Sequence, residues 1–73
     1  MTGKDIDALY DGIEDGTLTP ELEVNGRIEL VAMLTNIADG VDGGLSVEDS
    51  YEAIARAGYG IEVEVAARRL LQL

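Results

Sequence analysis

Asp7, Asp11 and Glu14 recur at i, i+4 and i+7, the spacing that lines carboxylates along one face of a helix, and Asp15 follows beside them. Neighbours in such a stripe lie roughly 5–6 Å apart at their Cβ atoms, broadly similar to the phosphate spacing along a nucleic-acid strand. A row of this kind can occupy a basic groove built for DNA or RNA, with the affinity driven by charge. Glu21 and Glu29 are secondary candidates for the same work, because on a helical wheel they gather with Asn25, Asn36 and Asp39 on one narrow face. An ordinary amphipathic helix turns the same kind of stripe to solvent with no binding role.

Composition removes most other chemistry. The 73 residues carry 15 acids against five bases, a formal net charge of −10, with no histidine and no cysteine. The commonest general base, the thiolate nucleophile and the usual zinc ligands are therefore missing. Neighbouring carboxylates can split their pKa values and share acid–base work. A chain this small rarely encloses a substrate cleft, however, and it has no glycine-rich phosphate cradle with lysine and no serine with a base partner. A non-enzymatic chain without a cofactor is the expectation. Its charge repels nucleic acid and anionic membrane and favours a basic protein surface.

The longest nearly apolar run, Leu30 to Leu34, is far too short to cross a bilayer. Met1 to Asp5 lacks the charged and apolar regions of a signal peptide. Together with the lack of cysteine, these features point to a soluble, cytoplasmic protein. One lysine, four arginines and an apolar set of Val, Ala, Leu and Ile suit a halophile, or a phage or host with a GC-rich genome. In a halophile the acidity is a solvation device.

The elements that must carry these side chains are helical. Apolar residues make up 47% of the chain and fall in periodic blocks, so one folded domain over residues 1–73 is expected rather than disorder. Thr2 with Asp5 forms a capping-box pattern, Ile6, Leu9, Tyr10 and Ile13 share one face, and Gly16 suits a helix end, which sets a first helix at about 4–15. Thr19-Pro20-Glu21 reads as an N-cap, a first helical residue and a first-turn acid opening a second helix. Its apolar positions, from Leu22 to Ala38, cover most of the circumference, which marks the buried centre of the fold. Asp39 to Gly44 is a loop by composition. Ser46 with Asp49 opens a third helix at about 47–57, and Gly60 introduces a fourth at about 61–72. The fold class is thus all-α, a small bundle of about four short helices. Arg56, Arg68 and Arg69 fall in the last turns of the third and fourth helices, where cations favour the helix dipole.

A competing α+β pattern exists. Residues 21–30 alternate about the pair Asn25-Gly26, the strongest short-range hairpin signal, and 61–65 alternate as a third strand would. Alternatively, Asn25 caps a fresh helix after a short turn at 20–24.

Ala38 to Asp49 resembles a degenerate EF-hand loop. Asp42-Gly43 stands where that loop has an acid and its turn glycine, Leu45 where it has an apolar residue, and Ser46 and Asp49 where it has later ligands. Ala38 and Gly40 stand where calcium needs carboxylates. The resemblance implies at most a weak divalent-cation site at Asp39, Asp42, Glu48 and Asp49. Ala38-Asp39-Gly40 with Ser46 and Glu48 is also similar, over about a dozen residues, to tellurite-resistance TerB-like helical domains. Arg27 to Val31 resembles the second helix of acyl carriers, but Val24-Asn25-Gly26 stands where the prosthetic-group serine motif belongs, so that function is not implied.

The leading expectation is a protein-binding regulator or inhibitor, of a kind a phage encodes, whose acidic face occupies the nucleic-acid-binding site of a basic partner. The alternative is a structural or adaptor subunit that docks through Leu70, Leu71 and Leu73 of the fourth helix, on a partner or in a homo-oligomer.

Overall fold

The computed structural model describes residues 1–73 and contains four helices and no strand. Helix α1 spans Gly3–Asp15, α2 Val24–Asp42, α3 Val47–Ala55 and α4 Ile61–Leu71. Neither the hairpin at 21–30 nor the strand at 61–65 forms. From Leu30 onward the core positions of α2 are Leu30, Met33, Leu34, Ile37 and Ala38, a helical period that a strand cannot bury on one face. In α4 the buried residues Val63, Ala67 and Leu71 recur every four.

The first helix begins as its local chemistry dictates. The Thr2 hydroxyl accepts from the Asp5 N–H at 3.4 Å, and the Asp5 carboxylate accepts from the Thr2 N–H at 2.7 Å. Two donors left free at the helix start are thereby satisfied reciprocally. Gly16, at φ 87°, ends the helix in the left-handed region that glycine enters without a Cβ penalty.

The limits of α2 depart from expectation at both ends. Thr19-Pro20 does not open it: residues 16–23 form an irregular connection, the Leu22 N–H donates to the Pro20 carbonyl at 2.8 Å, and Leu22 packs against the core. The helix starts at Val24 with Glu23 as a cap residue that makes no side-chain bond. Asn25 lies inside the first turn rather than capping it.

At the other end, Asp39 to Asp42 is helical, not a loop. Val41 extends the apolar period and packs against the core. The missing side chain of Gly40 admits Ser50, since a Cβ there would overlap the Ser50 hydroxyl. The helix then closes in a Schellman motif, with Leu45 N–H on the Gly40 carbonyl at 3.1 Å, Gly44 N–H on Val41 at 3.0 Å, and Gly44 at φ 106°.

Ser46 caps α3, its hydroxyl accepting from the Asp49 N–H at 3.1 Å. The helix stops two residues earlier than expected and leaves Arg56 as its C-terminal cap residue. Helix α4 keeps Arg68 and Arg69 in its last turn and ends at Leu71, one residue early, with Gln72 as its C-terminal cap residue at φ 60°.

α2 is the hub. Helices α1, α3 and α4 each pack against it, and contacts among those three are sparse. The core joins Ile6 and Ile13 of α1 to Leu30, Met33, Leu34, Ile37 and Ala38 of α2, Tyr51 of α3, and Val63, Ala67 and Leu71 of α4. Ser50 is the buried polar side chain, and it donates to the Ile37 carbonyl at 2.8 Å, so its hydroxyl is satisfied. Two further contacts tie the periphery together: Asn36 donates to the Tyr59 hydroxyl at 3.3 Å, and the Arg68 guanidinium lies 5.6 Å from the centre of the Tyr51 ring.

Candidate functional site

The six acids singled out from the sequence separate into three environments. Asp7, Asp11 and Glu14 share the solvent side of α1, with Asp7 half-buried and the other two exposed. Asp39 of α2 joins them from across the helix pair. The link is Tyr10, half-buried between the two helices, whose hydroxyl is pushed above its ordinary pKa. The Asp7 carboxylate beside the hydroxyl is the largest cause, followed by burial and then by the charges of Asp7, Asp11 and Asp39. Side chains on a helix lean toward its N-terminus, so the Tyr10 ring reaches back toward Asp7 and the far end of the antiparallel α2. Composition places Asp39 in a loop, and the helical wheel groups it with Glu29. Its partnership with Tyr10 depends on how α1 lies on α2, which no local pattern records.

Asp15 is occupied by local structure. Its carboxylate accepts from the Thr17 hydroxyl at 2.6 Å and the Thr17 N–H at 2.9 Å, bonds that hold it below the usual carboxylate range and brace the turn leaving α1. Glu21 and Glu29 stand elsewhere. Glu29 lines a groove facing α4 together with Glu23 and Glu62, and Glu21 lines a second groove that Arg69 also borders.

Beside Glu14 lies an apolar depression of about 320 Å³, lined by Ile13 and Glu14 of α1 and by Val24, Arg27, Ile28 and Val31 of α2. Helix α1 ends before it can cover the first turns of α2, which leaves Val24 61% and Ile28 63% exposed. Both were expected within the buried centre of the fold. Of the residues expected to dock from α4, Leu71 is in the core at 4% exposure, Leu70 packs against the core, and Leu73 is 39% exposed. The exposed apolar residues of α4 are Ile61 and Val65.

The expected cation loop is also rearranged. Asp39 and Asp42 ride on α2, while Glu48 and Asp49 belong to the first turn of α3. No group of three or more carboxylates converges to hold a metal ion. No helix is long and apolar enough to cross a membrane. Comparison of the chain with protein-family models, with curated proteins and with solved structures finds no match.

Proposed function

We propose that this chain is a non-enzymatic, cytoplasmic binding protein whose acidic α1–α2 face occupies a basic, nucleic-acid-binding surface on a partner protein. The observation that supports this reading is the stripe of Asp7, Asp11 and Glu14 on the solvent side of α1, with exposed Asp39 of α2 near enough for its charge to act with theirs on the Tyr10 hydroxyl. Two helices contribute to the patch, so its charge is denser than the stripe on α1 alone. Within a net charge of −10, a cationic protein is steered toward such a face and anionic polymers are kept away. An inhibitor of the kind a phage directs at a host nucleic-acid-binding protein fits this chemistry. Asp15 is exposed and anionic too, but one of its oxygens is held by Thr17 in the turn that leaves α1.

The test is a partner captured from lysate and displaced from its nucleic acid by this protein. Reversing Asp7, Asp11, Glu14 and Asp39 to Lys is expected to weaken that displacement by at least about tenfold while helicity is kept, and wild-type affinity is expected to fall steeply with added salt. Unchanged affinity in the reversed variant, or a flat salt response, would remove the proposal.

A further inference from the structure

The apolar depression and the acidic cluster lie on one continuous face. On α2, Val24, Ile28, Thr35 and Asp39 fall at i, i+4, i+11 and i+15, one exposed stripe about 22 Å long at 1.5 Å per residue. On α1 the opposing wall is the stripe of Asp7, Asp11 and Glu14. Glu14 belongs to both features, since it lines the depression and continues the acidic row. Ile13 and Val31 line the depression between the walls, and Tyr10, one turn before Glu14 on α1, is half-buried beside Asp7. One end of this channel is therefore apolar and the other anionic.

We infer that the α1–α2 channel is a docking groove for a cationic amphipathic helix. The apolar side chains of that helix would seat on Ile13, Val24, Ile28 and Val31, and its basic residues one to two turns away would reach Asp7, Asp11 and Asp39. This rests on the reading of the acidic face given above and names the partner segment that face would take. Charge complementarity selects the occupant. A second copy of this chain brings another ten negative charges to a rim already carrying Glu14 and Asp11, and an anionic lipid surface is repelled in the same way. A cationic helix is drawn by Asp7, Asp11, Glu14 and Asp39 and meets a like charge only at Arg27, which lines the apolar end. The geometry suits a helix as well: residues 24, 28 and 31 form an i, i+4, i+7 ridge that ridges of the same spacing on a partner can fill. The other grooves, along Ile61 and Val65, are lined by Glu21, Glu23, Glu29, Glu62 and Arg69 and offer a more polar surface.

The experiment uses two labelled peptides of one composition, leucines and lysines. One has leucines at i, i+4 and i+7; the other is scrambled to break that period. The periodic peptide is expected to bind at least about tenfold more tightly, moving amide signals of residues 13–14 and 24–31. Val24→Ser with Ile28→Ser is expected to erase the difference between the peptides. Both side chains are largely exposed, so the fold should persist, which circular dichroism checks. Asp7→Asn, Asp11→Asn and Asp39→Asn together are expected to weaken both peptides.

Equal binding of the two peptides would overturn the groove and leave the acidic-face reading intact. Failure of both peptides to bind at low salt would overturn the two together. Insensitivity to the three Asn changes, with the leucine preference kept, would overturn the acidic-face reading and the cationic occupant with it. Signals moving around Ile61 and Val65 instead would place the site elsewhere and overturn this one. A dimer dissolved by the two Ser changes would make the occupant a second copy, and would also overturn the inference.

Discussion

At the residue scale, Tyr10 reports on its surroundings. Its hydroxyl is held neutral beyond its ordinary pKa of 10.0 by Asp7 first, then by burial and the more distant Asp11 and Asp39. In a titration of the three tyrosines, Tyr10 is expected to ionise above the ordinary value. Asp7→Asn should return it most of the way and Asp39→Asn a smaller part. A Tyr10 that titrates normally in the wild type would mean that the carboxylates do not converge there. The sign follows from the neighbours: the neutral hydroxyl donates to Asp7, and deprotonation adds one more anion to the three carboxylates, so each acid removed eases it. The measurement needs no partner, and so tests the site separately from its proposed use.

At the element scale, the contact between α2 and α3 depends on one absent methyl group. Gly40→Ala would push a Cβ into the hydroxyl of Ser50, a buried residue with nowhere to retreat. Overpacking of this kind costs about 1–3 kcal/mol, and Ser50→Ala in the same chain should recover part of it by removing the overlapping oxygen. Thermal melts of the single and double variants measure that coupling. Additive losses would mean that the two positions do not touch. The same glycine shows why the end of α2 was hidden in the sequence. Gly40, Gly43 and Gly44 together look like a loop, yet only Gly44 needs a positive φ, while Gly40 is there for close approach. Val41, continuing the apolar period from Leu34 and Ile37, was the available sign that the helix ran on. The starts of α1, α3 and α4 were legible because a cap is local chemistry, written in Thr2 with Asp5, in Ser46 and in Gly60. The start of α2 was not, since Thr19-Pro20 imitates such a signal while the chain is still crossing from one helix to the next. The acidic stripe on α1 could likewise be read from spacing alone. Asp39, Val24 and Ile28 join the site only through the position and length of α1 against α2, a tertiary fact.

At the scale of the whole molecule, charge and folding oppose each other. Ten net negative charges on a four-helix chain repel one another, so added salt is expected to raise the melting temperature. A fall with salt would show that attractive pairs dominate instead. Acid acts in two stages of opposite sign. As pH drops from neutrality toward the isoelectric point near 4.1, the net charge shrinks and stability should rise. Asp5 and Asp15 then reverse the trend. Thr2 and Thr17 hold their folded pKa values below the ordinary 3.8, so their stabilisation is complete above that value and is lost as pH falls through the lower folded ones. A melting temperature that peaks between about pH 4 and 5 is expected, with Asp15→Ala lacking part of the low-pH decline. A monotonic fall from pH 7 downward would contradict this balance. The hub arrangement bears on a different property, the time the chain needs to find its shape. Helices α1 and α3 dock on the element adjacent to them in the chain, and the connections at 16–23, 43–46 and 56–60 are brief. Little loop entropy has to be surrendered before contacts form, the condition under which helical domains fold in microseconds to milliseconds. A chain built this way is expected to refold from denaturant on that timescale, which stopped-flow measurement checks.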